Sequence, residues 1–333
     1  MISHSKRSLR RGGIFALASL VSLGGAVAQT SASEDMGEDA SVPEGRIVFS
    51  SDRDGDSEIY VVNADGTRLR QITRNRVDDS VPSWHPSRNK IVFSRRNANH
   101  IPDIWTKNLR TGKLRRITRS PKRVEWAPRY SPNGVWIVFA KELGKARDYR
   151  NKIVALRPRD GASVVVKAST IGAVQYLGGP MWSPDGSKIA YGVFPPEHIA
   201  MSDFVAGGGS TTVILRSDDS GEGNGCAAFE SLGSVVLAPD GATLAYTAYH
   251  ESDPGALCLL PLDGGEPEPL ISGHNVPSPG SWSPQGEHLV GTVVSEGVPA
   301  LVIVDVRTGA IEPLIADGES PDWIALPPAG GGD

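Results

Sequence analysis

A short phrase recurs along this chain at intervals of 41 to 55 residues: Ser-Pro-Asp/Asn-Gly, preceded by a large aromatic or aliphatic residue and followed by an apolar run. The plainest copy reads PMWSPDGSKIAYG and spans residues 180–192. The anchor residues of the copies are Trp84, Tyr130, Trp182, Leu237, Trp282 and Trp323. A repeat of this length with four strand-like runs is typical of a β-propeller blade, because one small sheet cannot bury both faces until neighbouring sheets stack on it.

The first repeat is incomplete. Residues 45–73 supply three strand-like runs but lack the innermost run, the one that carries the aromatic anchor. The unpaired copy of that run lies at the far end of the chain, at 320–326. We therefore predict an all-β fold: a six-bladed β-propeller over residues 46–326, closed by a C-terminal strand A that completes the N-terminal blade. Such closure removes a sheet edge that would otherwise be open to aggregation.

Each Pro-Asp/Asn-Gly phrase predicts the turn between strands A and B of a blade. Proline fixes φ at the second turn position, and glycine accepts the positive φ that a side chain resists. The apolar triplets that follow, such as IVF and IAY, predict strands covered on both faces by adjacent blades. The seven tryptophans are accordingly expected to pack between blades and not to line a ligand site.

The two ends of the chain differ in composition from the repeats. Residues 1–28 combine a basic start, an apolar run and a small-residue cleavage site, which predicts a secretory signal peptide. Residues 29–45 hold five acids and no base and predict an acidic flexible linker. The last residues, 327–333, predict a disordered tail. The expected product is periplasmic or secreted, with no membrane span.

Two cysteines, Cys226 and Cys258, lie 32 residues apart within one predicted blade. An oxidising compartment would permit them to form a disulfide. The sequence leaves open whether they pair or remain isolated thiols.

The repeats also carry longer signatures, namely SSDRDGDSEIYVVNADGTRLRQIT at 50–73 and the closing phrases RQIT and RRIT. With these motifs the chain resembles the TolB-type (WD40-like) β-propeller repeat family over about residues 45–325. The resemblance implies a six- or seven-bladed propeller, frequently periplasmic, that acts in protein–protein complexes. TolB itself carries an α/β domain before its propeller, whereas here the acidic linker precedes it, so the resemblance is to the propeller alone.

Motifs for catalysis are scarce. The sequence has no G-x-S-x-G elbow, no H-E-x-x-H and no Cys/His spacing typical of a metal site, so we predict no catalytic residues and no cofactor. Some lyases of the TolB-type repeat family hold a metal with loop histidines. Four histidines of this chain are expected in loops of different blades: His100, His198, His250 and His274. The alternative hypothesis is a propeller enzyme acting on carbohydrate or lactone at the channel mouth, with Glu125, His100 and His274.

Three alternating acids, Asp52, Asp54 and Asp56, have the spacing that calcium loops use to direct several oxygens at one ion. The segment lacks the glycine at the sixth position and the distant bidentate glutamate. We expect these aspartates to bond the backbone of a B–C loop instead.

Charge is divided unequally along the chain. Residues 46–159 hold 26 Lys and Arg against 11 Asp and Glu, whereas residues 160–333 hold 4 against 22. The predicted blades 1–3 should form a basic half-ring and blades 4–6 an acidic one. Head-to-tail contact of unlike halves would give salt-sensitive self-association.

Bases concentrate in the predicted B–C and D–A loops, which share one face of a propeller. They are Arg74, Arg76, Arg95, Arg96, Arg119, Lys122, Arg123, Lys145, Arg147 and Arg150. This pattern favours a non-enzymatic, TolB-like scaffold that binds a protein or an anionic cell-envelope polymer through this face and the channel mouth. Nucleic acid is not an expected partner, since no aromatic residues interleave with the bases.

Overall fold

The computed structural model describes residues 43–120, 122–142, 151–168, 176–177, 179–194, 198–205, 209–216, 225–227, 229–249 and 255–326. The predicted signal peptide, most of the predicted linker and the predicted tail lie outside these ranges. Within them the chain is all β, and no helix is long and apolar enough to cross a membrane.

The strands of blades 1 to 3 are, in chain order, β1 (Arg46–Ser51), β2 (Glu58–Asn63), β3 (Arg70–Gln71), β4 (Asp79–Trp84), β5 (Lys90–Arg96), β6 (Pro102–Asn108), β7 (Leu114–Arg116), β8 (Glu125–Tyr130), β9 (Ile137–Glu142), β10 (Asn151–Leu156) and β11 (Ser163–Ala168). Those of blades 4 to 6 are β12 (Tyr176–Leu177), β13 (Met181–Trp182), β14 (Lys188–Phe194), β15 (His198–Asp203), β16 (Thr211–Arg216), β17 (Ser231–Leu237), β18 (Thr243–Tyr249), β19 (Ala256–Pro261), β20 (Glu268–Ser272), β21 (Ser278–Trp282), β22 (His288–Ser295), β23 (Val298–Asp305) and β24 (Ile311–Ala316). The last strand is β25 (Glu319–Ile324).

These strands form six antiparallel sheets, each a blade, and in blades 2 to 6 strands A to D follow one another in chain order. In blade 4, strand A is divided into β12 and β13, both of which pair with β14. Blade 1 has the order β25-β1-β2-β3, so its innermost strand comes from the end of the chain. Trp323 lies opposite Ile47, and Ile324 lies opposite Arg46. The predicted six-bladed propeller and its closure by a C-terminal strand A are therefore confirmed.

The hydrophobic core lies between successive blades. Each buried cluster joins the inner strands of two neighbouring blades, as where Ile47 and Phe49 of blade 1 pack with Val290 and Leu301 of blade 6. Both faces of the B strands are thus covered by neighbours, which explains their continuous apolar runs.

The tryptophan anchors form hydrogen bonds and packing contacts that join the sheets of the propeller. The indole N–H of three of them donates to a backbone carbonyl in strand A of the preceding blade: Trp84 to Asp322 (3.1 Å), Trp182 to Arg129 (3.3 Å) and Trp282 to Val236 (3.2 Å). Trp323 instead donates to the carbonyl of Glu44, just before β1, at 2.9 Å. These four tryptophans are buried packing residues.

Two recurrent phrases have local structural roles. In the A–B turn of blade 4, Asp185 Oδ1 accepts hydrogen bonds from Ser183 Oγ and the backbone N–H of Ser187, which lower the pKa of Asp185 to about 2. Gly186 follows with φ of +72°, a conformation that L side chains rarely adopt. In the RQIT phrase the hydroxyl of Thr73 accepts the backbone N–H of Ile59 at 2.8 Å, which ties the end of strand D to strand C.

Candidate partner-binding face

The B–C and D–A loops of every blade lie on one face of the propeller, because neighbouring antiparallel strands run in opposite directions. We call this the loop face. Two D–A loops carry most of the bases described there: residues 72–78 between blades 1 and 2, and residues 117–124 between blades 2 and 3. The exposed bases on these loops are Arg74, Arg76, Arg119, Lys122 and Arg123.

A buried carboxylate network holds the first of these loops in place. Glu58, at the start of β2, accepts hydrogen bonds from the backbone N–H and the side-chain amide of Asn75. The same amide donates to Asp79 Oδ2 at 3.0 Å. Arg95 binds Asp79 through two parallel hydrogen bonds of 2.6 Å each. Since Glu58 is 1% exposed and Asp79 is 0% exposed, these bonds are shielded from water and fix the loop that bears Arg76.

The second loop is held by an equivalent network one blade further along. Asp103, at the start of strand C, accepts the backbone N–H of Ser120 at 2.9 Å. The hydroxyl of Ser120 donates to Glu125 Oε1, which also accepts from Lys141 at 2.7 Å. Arg116 binds the other oxygen of Asp103 at 2.5 Å. The two loops therefore present their exposed bases on frames of the same design.

The two networks differ at one position. Gln71 occupies in blade 1 the place that Arg116 has in blade 2, at the same distance before the closing threonine. Within the described residues no cation pairs with Glu58. Burial raises the pKa of the Glu58 carboxyl above its usual value, and repulsion from Asp79 and Asp56 adds to that shift.

The remaining predicted bases have varied environments. Arg95 departs from the expected exposed role, because its side chain is 13% exposed and is committed to Asp79. Arg96 is exposed and pairs with Asp78 at 3.3 Å. Arg74 donates to the side-chain oxygen of its neighbour Gln71. The last three candidates lie outside the described residues; they are Lys145, Arg147 and Arg150.

The alternating aspartates Asp52, Asp54 and Asp56 lie in the B–C loop of blade 1. The carbonyl of Asp52 accepts the backbone N–H of Gly55 at 2.8 Å, and Asp54 accepts the side-chain amide of Gln71 at 2.6 Å. Asp56 Oδ2 is buried and has no hydrogen-bond partner among the described residues. Over the same part of the chain, no group of three or more His, Cys, Asp or Glu side chains is placed to hold a metal ion.

The residues of the alternative enzyme hypothesis are distributed over the loop face. Glu125 is fully buried; its Oε1 is bound to Lys141, and its Oε2 has no hydrogen-bond partner among the described residues. His274 lines a pocket of about 490 Å³ beside blades 5 and 6, together with Tyr249 and Glu319. His100 lies in the B–C loop of blade 2, and His198 begins β15. His250 lies outside the described residues.

The central channel is crossed by an ion pair. Arg129 of blade 3 reaches Asp322 of blade 1 at 2.6 Å and also donates to the carbonyl of Gly280 of blade 6. The adjoining cavity measures about 320 Å³ and is lined mainly by small and apolar residues of the A strands. The described channel therefore resembles a packed core more than a polar reaction site.

Cys226 and Cys258 form a disulfide with a Cα–Cα distance of 5.8 Å. The bond joins the segment before β17 to strand C of blade 5. Both cysteines are fully buried among the residues packed between blades 4 and 5.

A family model described as the TolB beta propeller domain matches residues 29–170. The repeats within these residues are therefore similar to those of the TolB-type propeller family. An uncharacterized protein of Agrobacterium fabrum is 27% identical to this chain over 160 residues, which cover 46% of the chain and 54% of that protein. The chain thus spans about half the length of this curated relative.

Solved structures share this propeller architecture at low sequence identity. TolB from Acinetobacter baumannii superposes with a TM-score of 0.67 at 18% identity, covering 84% of this chain and 66% of that one. A putative TolB from Agrobacterium tumefaciens has a TM-score of 0.60 at 13% identity, covering 86% and 100%. An oligogalacturonate lyase from Vibrio parahaemolyticus has a TM-score of 0.56 at 15% identity, covering 82% and 74%. Because TolB proteins and a lyase share this fold, the likeness establishes the fold alone.

Sequence reasoning missed the buried acids of the loop face. Glu58, Asp79 and Asp103 each follow a loop and look solvated in sequence. A usable signal was present: an acid begins strand A in blades 2 and 3, and a base lies near the end of strand B of the same blades, at Arg95 and Lys141.

Proposed function

We propose that this TolB-type propeller is an exported, non-enzymatic scaffold that binds a protein or an anionic cell-envelope polymer. The binding surface is the loop face of blades 1 to 3 together with the adjacent channel mouth. Its place of action is the periplasm or the outside of the cell.

One observation carries the proposal: the exposed bases lie on two D–A loops whose backbone is held in place by hydrogen bonds to buried carboxylates. Within the described residues, Arg76, Arg119, Lys122 and Arg123 form no ion pair. Because the loop backbone is already held in place, binding need not order it, so these loops suit recognition of a negatively charged surface.

Two further observations support export. The disulfide between Cys226 and Cys258 is of a kind that persists in oxidising compartments. The basic and apolar start of the chain fits a secretory signal peptide. Together they favour a partner in the cell envelope over a cytoplasmic one.

The test reverses charges on the loop face. Arg76→Glu with Arg123→Glu should weaken retention on immobilised heparin, used as an anionic probe, and flatten its dependence on salt. The matched control is Arg216→Glu with Arg307→Glu, which makes the same charge change in blades 4 and 6. Equal retention of both variants would contradict the proposal. Arg95 is unsuitable here, because its reversal would place a second carboxylate beside buried Asp79.

The partner is identified with a photo-crosslinking residue at position 119, compared with one at position 307. Protein captured from position 119 and absent from position 307 is expected. Indistinguishable capture from the two positions would count against the loop face as the binding surface.

A further inference from the structure

A cleft of about 1230 Å³ lies between blades 2 and 3 on the face opposite the loop face. Its walls are the A–B and C–D turns of the two blades. It is larger than the corresponding cleft between blades 4 and 5, and none of its basic residues belongs to the predicted partner surface.

Cations line both walls of this cleft. Lys90, Lys113 and Arg115 come from blade 2, and Arg157 and Arg159 come from blade 3. Among the described residues, the single carboxylate in the lining is Asp160, which is already paired with Arg157 at 2.8 Å. Burial and the neighbouring Lys90 lower the pKa of His85, which also lines the cleft, so the positive charge at neutral pH comes from the lysines and arginines.

Contacts within the walls preorganise the arginines. Arg115 Nη2 donates to the carbonyl of Pro158 at 2.7 Å, a bond that joins blade 2 to blade 3 across the cleft. The guanidinium of Arg157 lies 5.1 Å from the ring centroid of Trp136, in addition to its pairing with Asp160. An anion entering the cleft would therefore meet guanidinium groups already held in position.

The cleft also has apolar surface. Ile117, Tyr130, Val135 and Pro158 take part in its lining, and Val135 is 44% exposed. A strongly hydrated polymer such as a sulfated glycan gains nothing from contact with these side chains. A peptide that places apolar residues between its acids can bury them there while its carboxylates meet the bases.

The corresponding cleft between blades 4 and 5 is a natural comparison. It measures about 510 Å³ and its lining includes Asp185 and Asp240. Its lysine, Lys188, is paired with Asp203. The cationic lining between blades 2 and 3 is thus a property of that pair of blades and not of the repeat.

We propose that the cleft between blades 2 and 3 binds an extended peptide segment rich in Asp and Glu with apolar residues between them. Its volume exceeds the roughly 300–1,000 Å³ of most small-molecule pockets, which suits a chain segment better than a metabolite. This site is separate from the loop face and would let the propeller engage a second partner at the same time.

The test measures fluorescence anisotropy of a labelled peptide in which leucine alternates with pairs of glutamates. Lys113→Glu with Arg159→Glu should weaken its affinity roughly tenfold or more, since two cations of a charged site are reversed. Both side chains are exposed and form no ion pair among the described residues, so the fold is expected to persist, as unfolding in urea would verify. Lys113→Arg, which keeps the charge, should retain wild-type affinity.

The control pair Arg76→Glu with Arg123→Glu alters the opposite face and should leave peptide affinity unchanged. Failure of the loop-face proposal would not affect this result, so the two ideas stand or fall separately. Unchanged peptide affinity in the Lys113 and Arg159 variant would overturn the assignment. Binding of a heparin oligosaccharide to the same cleft as tightly as the peptide would also overturn it.

Discussion

Among the residues that the structure describes, Glu58 pairs with no cation, and the neighbouring blade shows what adding one should do. Gln71→Arg would place a guanidinium group where Arg116 meets Asp103 in blade 2. We expect the new side chain to bind Glu58, to lower the pKa of its carboxyl and to stabilise the protein at neutral pH.

The magnitude follows from the hydrogen bonds that form and those that break. A hydrogen bond to a buried charged group contributes about 1.5–3 kcal/mol. The change removes the bond from Gln71 to Asp54 and the bonds from Arg74 to Gln71, all of which are exposed and together contribute about 1 kcal/mol. The net gain in the free energy of unfolding should be about 1 kcal/mol at neutral pH.

The sign of the pH dependence is fixed by the direction of the shift. The pKa of Glu58 is raised in the folded state, so its contribution to stability is fully present below the unfolded-state value of about 4.5 and is lost as pH rises through the folded-state value. Glu58 therefore makes the wild type gain stability as pH falls from neutral through the folded-state pKa of its carboxyl. Gln71→Arg should reduce this gain, and its advantage should shrink on acidification.

Urea unfolding of both proteins at neutral and mildly acidic pH measures the effect. The reciprocal variant, Arg116→Gln, removes the cation bound to Asp103 Oδ2, which keeps a 3.4 Å contact to Asn97. It should lose about 3 kcal/mol, the typical result of breaking a buried ion pair. If Gln71→Arg were less stable than wild type at both pH values, or had the same pH dependence, the reasoning about Glu58 would be refuted.

Two other predictions concern stability. Trp323→Ala removes a side chain that is 6% exposed, together with its hydrogen bond to Glu44. The variant should lower the free energy of unfolding by about 3–5 kcal/mol in urea titrations. A loss no greater than that of a surface substitution would contradict the packing role of Trp323. Cys226→Ser with Cys258→Ser removes the disulfide between two residues 32 apart and should lower the free energy of unfolding by about 3–4 kcal/mol. The same loss should follow when wild type is unfolded with a thiol reductant, and insensitivity to reductant would argue against the bond.

The repeat phrase was enough to predict the architecture because it marks the same point of every blade. The pairing of Trp323 with Ile47 followed from counting strands, since the first repeat lacked one and the end of the chain had one to spare. Local chemistry was less accessible. Arg95 looked like a surface base because its partner, Asp79, is 16 residues earlier and only strand register places the two side by side.

The basic cleft was beyond sequence reasoning for a similar reason. Its cations occur in turns that read as ordinary connections, such as RTGKLRR at 110–116 and RPRDG at 157–161. These turns are far apart in the chain and face each other only because blades 2 and 3 stack. A charge count by residue number finds the basic half but does not distinguish its two faces.

The pairing of β25 with β1 has a consequence for how the protein is made. Ser50 and Glu319, which it brings into contact, are 269 residues apart. At synthesis rates of about 5–20 residues per second, the first blade waits roughly 15–50 s for its innermost strand. Blade 1 therefore cannot be completed until β25 has been synthesised, and a product that ended before β25 would leave one edge of β1 unpaired.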